Sequence, residues 1–196
     1  MKIGYIVQGA ADEAFIHGLA RRWCSGAELP RGKFRGESRE SLRRELPKAV
    51  KDLAIYQSCD AIVVLTDSDT DNWQAVKSRE WNIIPQEYQH MTVFGVAERN
   101  IECWLAIDRQ ALASVLQCHQ DEIPASDDPS GFVKKRLGIE QRDEARERAK
   151  TRITEFVADV DMKLWINNSR SFKDFYEDAR RLAQGRECKI PNELEN

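Results

Sequence analysis

The residues of this sequence best suited to chemistry are carboxylates. Asp67-Ser68-Asp69, with Asp71 close behind, follows the apolar run Ala61-Ile62-Val63-Val64-Leu65. Two Asp at i and i+2 beyond the end of a strand can converge on one point, and hard carboxylate oxygens gathered there suit Mg²⁺ or Mn²⁺. A plainer reading, an Asp-rich turn that caps the following helix, stays open. A second acidic segment is Gln8-Gly9-Ala10-Ala11-Asp12-Glu13. Gly permits a tight turn, and Asp12 and Glu13 fall in the first turn of a helix, where capping and the helix dipole also favour acids.

These segments are positioned by alternating strand and helix patterns. Lys2 to Gln8 reads as a strand, and the spacing of Ala14, Phe15, Leu19 and Trp23 reads as a helix. Leu42, Leu46, Ala49, Val50 and Leu53 mark a second helix, begun by Ser38 or Ser41 and interrupted or kinked by Pro47. The continuous apolarity of Ala61 to Leu65 predicts a strand covered on both faces. A helix through Trp73, Val76, Glu80 and Ile83 or Ile84 stops near Pro85, and Met91 to Val96 is a third strand. Strands alternating with helices imply an α/β fold with a parallel sheet, in which ligands sit beyond the carboxyl ends of the strands. Beyond residue 97 the pattern is helical: 101–116, within which Asp108 reads as the cap of a helix beginning at Arg109, then a loop with Pro124 and Pro129, a long helix from Ile139 to Val160, and a last helix entered at Ser169 or Ser171 and left at Gly185. The expected organisation is an α/β core over 1–108 with a helical extension over 109–196 packed on it as one globular unit.

The 196 residues carry a net charge of -3, unevenly spread. Residues 1–51 hold 11 Lys/Arg and 6 Asp/Glu, 52–130 hold 4 and 14, and 131–196 hold 15 and 13. An acidic middle can serve a cation and a basic arm a polyanion. That arm, including Arg31, Lys33, Arg35, Arg39 and Arg43, is a candidate nucleic-acid-binding surface, although pairing with Glu37, Glu40 and Glu45 on a helix face explains it equally. The alternating charges of 140–155 read as a solvated helix face without chemistry. No apolar run approaches the roughly 18 residues of a membrane span, and no secretory cleavage pattern is present, so a cytoplasmic protein is expected. Cys24, Cys59, Cys103, Cys118 and Cys188 are odd in number and scattered, which predicts reduced thiols. A calcium EF-hand loop starting at Asp67 would need Gly and Glu where Asn72 and Ser78 stand, and a haloacid-dehalogenase-type DxDx(T/V) motif would need Thr or Val in place of Asp71.

Taken in order, Val7-Gln8-Gly9-Ala10-Ala11-Asp12-Glu13-Ala14-Phe15, Leu65-Thr66-Asp67-Ser68-Asp69, Glu98-Arg99-Asn100-Ile101-Glu102-Cys103-Trp104-Leu105-Ala106-Ile107-Asp108 and Ser169-Arg170-Ser171-Phe172 resemble a bacterial Toprim-like family, often encoded beside ABC-type ATPases and distantly similar to the Toprim domain of OLD-family nucleases. The resemblance implies a Toprim-like parallel sheet flanked by helices, and metal-dependent cleavage of DNA or RNA phosphodiesters, in phage defence with an ATPase partner. It implies catalytic roles for Asp12, Glu13, Asp67, Asp69 and Glu102, with Asp67, Asp69 and Glu13 holding Mg²⁺ or Mn²⁺; assembly into an oligomer is left open. One position departs from the pattern. Where that family ends its first strand in Glu-Gly, this chain has Gln8-Gly9, and an amide cannot take up a proton at neutral pH and is a poorer metal ligand. A catalytically impaired interaction or regulatory subunit is the alternative that Gln8 raises.

Overall fold

The central strand is β2 (Ala61–Asp67), hydrogen-bonded in parallel to β1 (Ile3–Ile6) on one side and β3 (Thr92–Ala97) on the other. The computed structural model describes residues 1–33, 38–124, 128–141 and 144–193. The α/β reading therefore holds, with a three-stranded parallel sheet in the order β1-β2-β3. Because successive side chains point to opposite faces, the apolar run of β2 feeds two cores. Ile6, Ile62, Val64, Phe94 and Val96 pack on one face against α2 (Arg39–Lys51), the π-helical turn Asp52–Tyr56 that continues it, α3 (Trp73–Trp81) and the short α4 (Gln86–Gln89). Tyr5, Val7, Leu65, Val93 and Ala97 pack on the other face against α1 (Ala10–Trp23) and the helices that follow β3.

The outer edges of the sheet are both managed. Beside β1, the amides of Ile3 and Tyr5 donate to Glu28 and Pro30 carbonyls at 2.9 and 3.0 Å, so the segment after α1 runs alongside the strand. Beside β3, Lys77 of α3 reaches Asp174 and Asp178 of the last helix, α10 (Arg170–Ala183). Since α3 and α10 lie on opposite faces against β3, this bridge crosses the strand's unpaired edge, which would otherwise invite another chain.

Beyond β3 the helical reading holds in outline and changes in detail. The stretch 101–116 is two helices, α5 (Ile101–Leu105) and α6 (Arg109–Leu116), and Asp108 caps the second as expected, accepting the Ala111 amide at 2.9 Å. Two helices are additional to those expected, α7 (Ser130–Leu137) after Pro129 and α9 (Met162–Asn168). The long helix is shorter than its apolar spacing suggests: α8 spans Glu144–Asp159, and Ile139 is buried from a position outside it. Its face against α1 is tight, with Gly18 so near that a Cβ there would lie 2.6 Å from the Val157 Cβ. Phe15, Trp104, Trp165, Phe172 and Phe175 form a contiguous aromatic core, with Trp165 and Phe172 centroids 5.2 Å apart at near-perpendicular planes. This core joins α1, α5, α9 and α10, so it fixes α5 over the carboxyl end of the sheet.

The expectation of five reduced thiols is corrected: Cys24 and Cys188 are disulfide-bonded, while Cys59, Cys103 and Cys118 are free. The two partners stand 164 residues apart, a pairing that spacing alone does not reveal; the fold brings the segment after α10 back to the end of α1, where the Lys189 amide donates to the Trp23 carbonyl at 2.7 Å. Among the described residues no helix is long and apolar enough to cross a membrane.

Candidate functional site at the carboxyl end of the sheet

The loop after β2 and the loop after β3 are laced together. Ser68 donates its amide to the Ala97 carbonyl at 2.9 Å and receives the Arg99 amide on Oγ at 2.8 Å, and the Asp69 amide donates to the Arg99 carbonyl at 2.9 Å. Asp69 and Arg99 both adopt left-handed backbone, at φ 53° and 64°, which non-glycine residues take up at a cost. That geometry turns successive side chains of the Asp67-Ser68-Asp69 motif in different directions. Asp67 points inward and accepts the Ile101 amide on Oδ1 at 3.1 Å, tying β2 to the start of α5. The Asp69 side chain is 64% exposed and lies 3.7 Å from the Arg39 guanidinium. Arg39 also bonds the Ser68 carbonyl at 2.9 Å and Asp71 at 2.8 Å, so it clamps the loop from the α2 side.

Three carboxyl groups lie near enough to feel one another's charge: buried Asp12 of α1, half-buried Asp67 of β2 and buried Glu102 of α5. Asp12 accepts the Gly9 amide at 2.8 Å, closing the first turn of α1. Glu102 accepts the Ser130 hydroxyl on Oε2 at 3.3 Å, while its buried Oε1 has no hydrogen-bond donor and lies 3.8 Å from the Lys134 ammonium. Burial, and then the charges of Asp12, Glu102 and Asp69, push Asp67 up to about 9. Burial pushes Glu102 up to about 7, against the nearby Lys134, with Asp12 adding to the rise. Asp12 is also raised, chiefly by burial, despite the Gly9 amide and Lys134. At neutral pH Asp67 is thus a carboxylic acid and Glu102 is divided between acid and base, a pairing able to give and take protons.

Glu13, one residue from Asp12, is placed differently. Its carboxylate lies between Arg31 at 2.8 Å and Lys150 at 2.9 Å, and Lys150 leads the contacts that hold it below the usual range in spite of burial. Gln8 projects from the end of β1 on the face of Ile6, and its Oε1 accepts the Thr66 hydroxyl at 2.6 Å. By the same alternation Thr66 and Asp67 point to opposite faces of β2, so the Gln8 side chain meets Thr66 away from Asp67, while the Gln8 backbone amide bonds the Asp12 carboxyl.

Of the basic arm, Arg31 pairs with Glu13, Arg39 with Asp69 and Asp71, and Arg43 lies 3.9 Å from buried Glu80. Lys33 is exposed, and Arg35 lies outside the described residues. Along the helix itself Arg44 pairs with Glu45 at 3.5 Å, whereas Arg39 and Arg43 pair across the fold; Glu37 lies outside the described residues. Two contributors carried no signal in the sequence. Lys134, from α7, serves Glu102 across 32 residues of chain, and Lys150, from the charge-alternating stretch read as a solvated face, serves Glu13. With Arg31 and Arg146 they line a cavity of about 580 Å³ that opens on Gln8, Gly9 and Ala10 at the start of α1.

The donor chemistry at the inner carboxyls suits Mg²⁺ or Mn²⁺, and the orphaned Glu102 oxygen is a ready acceptor. Their placement does not: among the described residues no three His, Cys, Asp or Glu side chains are grouped to hold one metal ion. Compared with protein-family models, curated proteins and solved structures, the chain matches none.

Proposed function

We propose that the chain is a Toprim-like nuclease subunit that acts on nucleic-acid phosphodiesters with Mg²⁺ or Mn²⁺, in the cytoplasm and with an ABC-type ATPase partner, in defence against phage. The observation that carries this reading is the meeting of Asp12, Asp67 and Glu102 beyond the carboxyl ends of the strands, where open parallel sheets bind their ligands. The adjoining cavity supports it, because Arg31, Lys134, Arg146 and Lys150 supply cationic groups for a phosphate backbone next to the acids. Among the chain's own groups, Lys134 offsets charge at Glu102, Asp67 holds a proton within the pocket, and Arg39 keeps the Asp67–Asp71 loop in place. Purified protein, alone and with the ATPase, is expected to cut DNA or RNA with Mn²⁺, and Asp67→Ala combined with Asp69→Ala to abolish cutting. Cleavage that survives the double substitution would refute the reading.

A second reading, a non-catalytic interaction or regulatory subunit, is favoured by two observations: no described acidic cluster is arranged to hold an ion, and the Gln8 amide is engaged by Thr66. Calorimetric titration with Mn²⁺ separates the two, since the second reading expects no binding heat that Asp67→Ala removes.

A further inference from the structure

On the side of the molecule bounded by α3 and α10, an open groove of about 710 Å³ runs beside the outer edge of β3. Trp73, Lys77 and Trp81 stand at i, i+4 and i+8 on α3, which places them on one face of the helix, with the two indoles about 12 Å apart along its axis. Trp73 and Trp81 are half-buried and line the groove, whereas Trp23, Trp104 and Trp165 are buried in the opposite core. Across the groove stand Arg181 and Arg186. The acids in the groove, Asp174 and Asp178, are already engaged by Lys77, and Arg181 pairs with Asp178, so cations outnumber acids on its walls. One end of the groove meets the candidate site: α3 starts two residues after Asp71, and α10 starts where the Ser171 hydroxyl receives the Glu98 amide at 3.3 Å.

We propose that this groove seats a single-stranded segment of nucleic acid, with bases stacked on Trp73 and Trp81 and phosphates against Arg181 and Arg186. Aromatic faces spaced along a cationic groove bind single strands without regard to sequence, because every base has a face to stack. An interval of about 12 Å suits two bases of one strand, not two sides of one base. The seat rests on the reading of the carboxyl-end site as acting on nucleic acid, and deepens it: a strand lying in the groove is led to the Asp67–Asp71 loop, which makes single strands the substrate class.

Binding can be tested without cleavage. The full chain in EDTA at low salt is titrated with an oligothymidylate of about 12 residues, following both tryptophan emission and the anisotropy of a labelled strand. Saturable quenching is expected, with affinity falling roughly tenfold for Trp73→Leu and again for Trp81→Leu. Exposed Arg181→Glu, alone and with half-buried Arg186→Glu, should weaken binding and flatten its salt dependence, and Arg181→Glu keeps the test valid should Leu at 73 or 81 impair folding. A chain that binds single strands in EDTA yet never cuts them with Mn²⁺ sinks the nuclease reading and supports the seat. The seat is overturned by the absence of quenching, by unchanged affinity in the Arg pair, or by thymidine monophosphate competing as well as the strand, which would make it a mononucleotide pocket.

Discussion

Asp67→Asn removes a strongly perturbed carboxyl group while keeping its shape and an acceptor for the Ile101 amide. In the unfolded chain Asp67 ionises near 3.8, and in the folded protein burial and neighbouring acids move this to about 9. The folded state therefore holds a proton that the unfolded state releases, so stability is greatest below the unfolded value and is lost as pH rises towards the folded one. Each pH unit above the unfolded value costs about 1.4 kcal/mol, which at pH 7 makes the burden of Asp67 about 4 kcal/mol. Asn carries no such burden. The variant should match the wild type near pH 4 and exceed it by a margin that widens with each pH unit up to about 9. Urea unfolding followed by tryptophan emission at several pH values measures this directly. A divalent ion bound at Asp67 would reverse the ranking in part, stabilising the wild type by about 2.7 kcal/mol at a hundredfold excess over Kd and leaving the variant unmoved. A variant less stable than the wild type at pH 7, or a margin independent of pH, would refute the electrostatic account of the pocket.

Three further substitutions probe the scaffold. Gly18→Ala should cost about 1–3 kcal/mol by urea unfolding, because its Cβ would sit 2.6 Å from the Val157 Cβ and 2.8 Å from the Thr154 carbonyl oxygen, forcing α1 and α8 apart. Ser171→Ala leaves the buried Trp104 indole N–H and the Glu98 amide without the oxygen that now accepts both at 2.9 and 3.3 Å, and a loss of about 1–3 kcal/mol with a change in near-ultraviolet dichroism is expected. Reduction of the Cys24–Cys188 bond should lower stability by about 2–4 kcal/mol, and Cys188→Ser should reproduce the loss and make the protein indifferent to dithiothreitol.

Local pattern and short-range chemistry were enough to read the strands, most of the helices and the caps at Ser169 and Asp108, because each depends on a few adjacent residues. The period of apolar residues misleads where a helix ends on a polar cap inside an unbroken apolar rhythm, as at Ala106 to Asp108, or where an apolar residue such as Ile139 is buried from a loop. The site was legible in its acids and not in their roles. Asp67 and Glu102 emerge in one pocket with Asp12, but whether Asp12 or Glu13 turns inward is decided by a single residue's rotation about α1, and Glu13 falls on the side of Lys150. The positive φ at Asp69 likewise separates two aspartates that their spacing alone would bring together. Cations that complete the site, Lys134 and Lys150, arrive from helices of the C-terminal half, where the sequence around them looks like any solvated surface.

Gln8 gains a structural context that changes what its replacement should do. Its Oε1 is held by the Thr66 hydroxyl at 2.6 Å, and Thr66 points to the face of β2 opposite Asp67. A Glu at this position would keep the acceptor and add a charge on the side where Arg39 restrains Asp69 and Asp71. An ion drawn there would use the introduced carboxylate together with that of Asp69, not the inner carboxyls. We therefore expect Gln8→Glu to raise Mn²⁺ affinity in calorimetry, Asp69→Ala to cancel the gain, and Glu102→Ala to leave it in place. Without a cation the same change should lower stability more at pH 8 than at pH 4, since the new carboxylate must ionise beside the buried Thr66. A gain that survives Asp69→Ala, or equal affinity in Gln8→Glu and the wild type, would mean that position 8 faces no ion and that the departure from Glu has no bearing on metal binding.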